Sequence, residues 1–190
     1  QHLTPLGRQV VEAINAAGVL MDCSHTGRLC SLDIMATSSA PVIFSHANPL
    51  ALVEPGRNIT DEQIRACAAT GGVVCVSGVS MFLGTRTPGA DDVARHAAYV
   101  ADLVGVEHAG IGLDISFSQP ELDDNPPDFD PHHWWPASAG YKRGIERTVY
   151  PPVESWKVLG DALQRTGMTA GEAALVLGGN MVRVAEKVWG

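Results

Sequence analysis

Two apolar, strand-like runs in this chain both end in Ser-His. The first is Val19-Leu20-Met21-Asp22-Cys23-Ser24-His25 and the second is Pro41-Val42-Ile43-Phe44-Ser45-His46. A short helical stretch lies between them, so they read as consecutive strands of one βαβ unit. Parallel strands need a crossover of this kind, and the crossover leaves their carboxyl ends side by side. The pattern therefore predicts two imidazoles at adjacent strand ends.

The rest of the chain continues the alternation. Residues Thr4 to Ala17 carry Leu6, Val10, Val11 and Ile14 at helical spacing, with Thr4-Pro5 as a start signal and Gly18 as a stop. A short helix is expected over Leu29 to Ser38. Another is expected over Thr60 to Thr70, where Asp61 and Glu62 suit the positive end of a helix dipole. Val73 to Val79 reads as a third strand, apolar on both faces, as strands buried on both sides are. Ala90 to Val104 reads as helix and Ala109 to Ile115 as a fourth strand. Residues 116–152 are rich in Pro, Asp and Trp without periodicity, and loops of that length usually carry function or are disordered. Helices are expected again at Glu154 to Arg165, Thr169 to Leu177 and Asn180 to Val188. Met168, Met181 and Trp189 fall at helical spacing with other apolar residues and read as core.

About four strand–helix units in series leave two architectures, an open doubly wound sheet or a (β/α)8 TIM-type barrel. Barrel enzymes place their chemistry at the carboxyl ends of the strands, where the chemical residues here fall, and this favours the barrel. A complete barrel takes ~250 residues, so 190 residues with about four units amount to half of one. The expectation is one domain over residues 1–190, with residues 116–152 as a long loop on the active-site side.

Composition narrows the function classes. The net charge of −8 and a pI near 5.2 exclude a basic nucleic-acid surface. No apolar stretch approaches the ~20 residues of a membrane helix. The opening Gln1-His2-Leu3-Thr4-Pro5 is neither a signal peptide nor an initiator Met, so the chain is expected to begin inside a longer protein. Cys23, Cys30, Cys67 and Cys75 form no C-x-x-C pair, and they read as reduced thiols in a cytoplasmic setting.

His25 and His46 are the first candidates for chemistry, since neutral imidazole is the commonest protein metal ligand and zinc favours it. The alternative is two histidines hydrogen-bonded at strand ends. Asp22 reads either as an outer partner of a ligand or as a group serving nearby backbone. Arg57, in the loop after the His46 strand, can grip a carboxylate in bidentate fashion or lie solvated. Asp114 ends the fourth strand, where a carboxylate can bind an ammonium group, a metal or a proton, or cap the next segment. His132-His133-Trp134-Trp135 sits mid-loop and reads as a lid over the site or as a loop packed on its rim.

At these residues the chain resembles the membrane dipeptidase family of zinc peptidases, peptidase family M19, over its C-terminal half. The matching pieces are Leu3-Thr4-Pro5-Leu6-Gly7, Gly18 to His25, Ala40 to His46, Arg57-Asn58-Ile59, Gly110 to Asp114, and Gly179 to Val184. The resemblance implies an amidohydrolase-like (β/α)8 barrel with a binuclear zinc centre. It implies that His25 and His46 ligate one zinc, and that Arg57 and Asp114 contact the two termini of a dipeptide substrate. It also implies a His-x-Asp pair, a bridging Glu and a further active-site His upstream of Gln1, so the zinc site is at most partial here. The expected partners are the dipeptide and the missing N-terminal half of the barrel, either in a longer chain or as a second chain. A homodimer is compatible with the same reading. The fragment alone is expected to hydrolyse dipeptides negligibly. Two rival functions are a non-catalytic binding or assembly subunit that kept the scaffold, and an amidohydrolase acting on a lactone or cyclic amide.

Overall fold

A computed structural model describes residues 1–54, 57–115, 128, 130–134, 136–139 and 149–190. Four short strands run parallel: β1 (Met21–Asp22), β2 (Val42–Ile43), β3 (Val74–Val76) and β4 (Ala109–Ile111). In β1 and β2, Met21 pairs with Val42 and Asp22 with Ile43. In β3 and β4, Val74 pairs with Ala109, Cys75 with Gly110 and Val76 with Ile111. A parallel bridge between Phe44 and Val74 joins the two pairs, with the Phe44 amide donating to Val73 O and the Cys75 amide to Phe44 O. The spatial order is thus β1-β2-β3-β4. The described strands contain no reversal of order, the feature that defines a doubly wound sheet.

The helices follow the same sequence around the outside. They are α1 (Pro5–Ala16), α2 (Arg28–Thr37), α3 (Asp61–Ala69), α4 (Ser80–Leu83), α5 (Ala90–Val104), α6 (Pro131–Trp134), α7 (Leu159–Arg165), α8 (Ala170–Ala174) and α9 (Asn180–Trp189). Packing runs α1 on α2, α2 on α3, α3 on α5 and α5 on α7. The local sequence explains the starts. Thr4 caps α1 by accepting from the Gly7 amide, and Pro5 fills its first position. Thr60 and Gln63 form a reciprocal capping box on α3, as Thr169 and Glu172 do on α8.

Alternation along the strands sorts the core into two layers. Val42, Phe44, Val74 and Val76 belong to the large core cluster that includes residues of α2, α3, α5 and α7. Ile43, Val73 and Cys75 point the other way and pack with Val184, Met181 and Val188 of α9. Helix α9 lies across the amino ends of the strands. The Arg183 guanidinium donates to Gly71 O and Glu107 O, and the Asn180 amide group donates to Val106 O and Ala109 O. It therefore floors the end of the sheet opposite Ser45 and His46. Among the described residues no helix is long and apolar enough to cross a membrane. All four cysteines are free. Burial drives the Cys23 and Cys75 thiols up to about 12, which keeps them inert.

Three local expectations are corrected. Trp189 is 66% exposed rather than core, because α9 turns Val184 and Val188 inward. Residues Val153–Val158 form a 3-10 segment and the helix begins only at Leu159. Leu175–Gly179 forms a wide helical turn that carries α8 into α9 with a kink at Gly178, where two separate helices are predicted.

Behind β2 and β3 lies a fully buried histidine, His96. Its Nδ1 sits 3.4 Å from Asn48 Nδ2, the Leu83 backbone acts on the ring, and among the described residues its Nε2 makes no well-formed hydrogen bond. Burial and the neighbouring Arg95 charge push its pKa down to about 4. The unfolded chain, titrating near 6.5, then binds more protons than the folded one between these values. This contribution to stability is complete above pH 6.5 and is lost as pH falls through 4. Thermal unfolding of wild type and His96→Leu as a function of pH checks this. The Tm of wild type should fall more steeply with acid across that window, and parallel curves would contradict it.

Candidate active site

His25 and His46 meet as the strand geometry requires. Their rings lie 4.8 Å apart between centroids, and the two Nε2 atoms are separated by 2.8 Å. Asp22, at the end of β1, holds both Ser-His segments. One oxygen, Oδ1, accepts from the Ser24 amide at 2.9 Å and from the Ser45 amide at 3.0 Å. The other, Oδ2, accepts from the Ser45 hydroxyl at 2.5 Å. Ser45 Oγ also lies 2.8 Å from His46 Nδ1, and the His46 amide donates to Ser24 Oγ. Burial works against the Asp22 carboxylate, but the bonds from Ser45 and Ser24 outweigh it and hold its pKa below the usual range. His25 itself takes φ 61°, a left-handed conformation. Among the described residues only Asp114, at φ 57°, shares it without being glycine. Such backbone is costly and gathers at functional sites.

The Arg57 guanidinium lies against this pair. Its Nη2 is 3.2 Å from His25 Nε2 and donates to His46 O at 3.3 Å, and its Cζ stands 5.5 Å from the centre of the Phe82 ring. Asn58 anchors the same loop from behind, donating to Val53 O and Phe82 O. Burial, then the Arg57 charge and the His46 ring, lower the His25 pKa, while Asp114 and Asp22 oppose them. Asp114 therefore shares an electrostatic environment with His25, and it follows β4 on the same carboxyl side. Tyr150 is coupled to Asp114 as well, its pKa raised by burial and by that carboxylate. The chain reaches Tyr150 by pairing Val149 with Ser80, at the start of α4.

Gly112 brings the ends of β2 and β4 together. A Cβ at this position would stand 1.8 Å from Ser45 O, so only glycine admits the approach. His132 and His133 are exposed in α6, with the His132 amide donating to Asp130 Oδ1. Trp134 ends that helix, and Trp135 lies outside the described residues. Sequence reasoning missed three contributors: Phe82 beneath Arg57, Tyr150 within the field of Asp114, and the Ser45 hydroxyl. Only Ser45 left a signal, as the repeated Ser-His.

The donor set suits a cation. The two Nε2 atoms face each other at hydrogen-bond distance, and with the rings slightly parted an electropositive ion between them would satisfy both lone pairs. Tetrahedral zinc at ~2.1 Å from each nitrogen would set them about 3.4 Å apart, a small ring rotation from the observed separation. Among the described residues no cluster of three or more His, Cys, Asp or Glu side chains is gathered for a metal. The pair would thus need further donors to complete a zinc centre.

Comparison with known proteins finds similarity along most of the chain. The family model for membrane dipeptidase, peptidase family M19, matches residues 1–124. Dipeptidase verJ of Clonostachys rogersoniana is 35% identical over 109 residues, covering 57% of this chain and 28% of the relative. Dipeptidase tcpJ of Claviceps purpurea (strain 20.1) is 28% identical and covers 98% of this chain and 38% of its own length. The chain thus spans about a third of the curated relatives it matches. An amidohydrolase from Pseudomonas aeruginosa superposes with a TM-score of 0.81 at 30% identity, covering 99% of this chain and 58% of that one. A metallopeptidase from Rhodobacter sphaeroides, solved with a phosphinate mimic of the dipeptide L-Ala-D-Ala, superposes with a TM-score of 0.71 at 22% identity. It covers the whole of this chain and 48% of its own.

Proposed function

The chain belongs to the membrane dipeptidase family, peptidase family M19, and from that premise we propose that it is the metal-binding and substrate-holding half of a zinc dipeptidase. The observation that carries this reading is the convergence of His25 and His46 Nε2 at one point, within reach of Arg57. The four parallel strands in sequential order are read as half of a (β/α)8 barrel, with residues 1–190 as one domain. The other half comes from further polypeptide, in the same chain or a second one.

His25 and His46 would hold one zinc ion, which, when bound, lowers the pKa of its water and polarises the scissile carbonyl. This chain's own residues bind and orient the substrate. Arg57 presents a planar fork of donors suited to the dipeptide carboxylate. Asp114, after β4 on the same carboxyl side of the sheet, would offer a carboxylate to its ammonium group, with Tyr150 in its electrostatic reach. With both ends of the substrate held, the length that fits is two residues. The connection after Asp114, which carries His132, His133 and Trp134, leads away from the same strand ends and is read as a cover over the site.

The test is hydrolysis of Ala-Ala by the chain joined to a complementing N-terminal half, with and without zinc. Zinc-dependent cleavage of the dipeptide, but not of the N-acetylated dipeptide, is expected. In the same protein Arg57→Ala should raise KM by roughly 10- to 100-fold, the loss of a charge-assisted hydrogen-bonded pair worth ~1.5–3 kcal/mol. Equal cleavage of free and acetylated substrate would refute the assignment of Asp114. An unchanged KM would refute that of Arg57.

A further inference from the structure

The Ser45 hydroxyl has a single proton and three neighbours: Asp22 Oδ2 at 2.5 Å, His46 Nδ1 at 2.8 Å and Ser24 Oγ at 3.2 Å. An ionised carboxylate can only accept. Asp22 is further committed to its charged form by the two amides that donate to Oδ1. The Ser45 proton therefore goes to Asp22. The oxygen of Ser45 is then an acceptor toward the ring, so His46 Nδ1 must carry the hydrogen. In a neutral imidazole that leaves Nε2 as a bare lone pair.

We propose that Asp22 is a positioning residue that, through the Ser45 hydroxyl, fixes His46 as its Nδ1–H tautomer and aims the Nε2 lone pair at His25. The chain Asp22–Ser45–His46 is indirect, with a hydroxyl set between carboxylate and imidazole. The same carboxylate ties the two strand ends together through the Ser24 and Ser45 amides. The relay thus sets the position of the His46 backbone and the chemical form of its ring at once. Arg57 does the matching work on the other ring: a guanidinium can only donate, so the His25 Nε2 that faces it is an acceptor. The two Nε2 atoms lie 2.8 Å apart, so with both as acceptors they repel unless a cation or a shared proton stands between them. The tautomer is argued from the Asp22–Ser45–His46 hydrogen bonds; its value for zinc rests on the function proposed above.

The test separates these two. In the metal-free full chain, nitrogen-15 NMR of the His46 ring reports the tautomer directly. Wild type should show Nδ1–H. Ser45→Ala keeps both Asp22 bonds to backbone amides but removes the relay, and His46 should shift toward the Nε2–H form. Ser45→Thr, which restores the hydroxyl, should bring Nδ1–H back. Asp22→Asn, whose amide can donate to Ser45 and turn it around, should also favour Nε2–H. Retention of the wild-type ring signature in Ser45→Ala would overturn the proposal, as would failure of Ser45→Thr to restore it. Zinc titration against a competing chelator is the second readout. Affinity should fall ~10–100-fold in Ser45→Ala and recover in Ser45→Thr. A tautomer that responds as expected in a chain that binds no zinc would uphold the relay and reject the metal site.

Discussion

His46→Ala is expected to abolish zinc binding at this site and, in a completed barrel, zinc-dependent dipeptide hydrolysis. The described residues bring two imidazoles to one point, and the substitution removes one of them. A partner outside the ligand shell typically commands ~10–100-fold in metal affinity, and a ligand itself should exceed that range. The fold should survive. His46 is half-buried, its amide bond to Ser24 Oγ is independent of the side chain, and Asp22 keeps its hold on the Ser24 and Ser45 amides. Metal content by mass spectrometry, paired with thermal unfolding, checks both halves of the statement. His46→Gln, which keeps most of the volume and offers a poorer ligand, should behave alike. Wild-type zinc stoichiometry and affinity in either variant would sink the assignment.

The second large effect is expected at Gly112. An alanine Cβ there would meet the backbone oxygen of Ser45 at 1.8 Å, and also the Cys75 side chain at 3.2 Å. Backbone cannot rotate away as a side chain can, so β2 and β4 must separate. Overpacking of this kind typically costs 1–3 kcal/mol. For a chain of this size that corresponds to a Tm lower by roughly 3–10 °C. Because Ser45 is the residue between the strand and His46, the displacement should also disturb the imidazole pair. Gly112→Ala should therefore lose stability and zinc affinity together, whereas His46→Ala loses affinity alone. An undiminished Tm in Gly112→Ala would show that the strand ends are less tightly joined than the structure places them.

The parts of this architecture that sequence could reveal are those encoded by local repetition. The apolar runs before Ser24-His25 and Ser45-His46 predict adjacent parallel strands, and β1 and β2 pair in that way. Capping by Thr4 and Thr60 is equally visible, since each motif spans four residues. What stayed hidden depends on contacts between distant segments. Phe82 lies beneath Arg57 with Asn58 donating to its carbonyl, and Tyr150 enters the field of Asp114 from the far side of an aperiodic connection. Trp189 shows a different limit. Helical spacing groups it with apolar neighbours, but only packing decides which stripe of α9 is covered. Asp22 lay between these cases: its place on the strand suggested either a ligand's partner or a backbone anchor, and the structure shows it holding the Ser24 and Ser45 amides and the Ser45 hydroxyl.

Helix α9 plugs the amino-end side of the strands: Val184 and Val188 pack with Ile43, Val73 and Cys75, and Arg183 and Asn180 bind the backbone at the starts of β3 and β4. The strand tips that carry Ser45 and His46 thus rest on a base fastened at its far end. Slack introduced by trimming α9 should travel along the strands and reach the imidazole pair without any change near it.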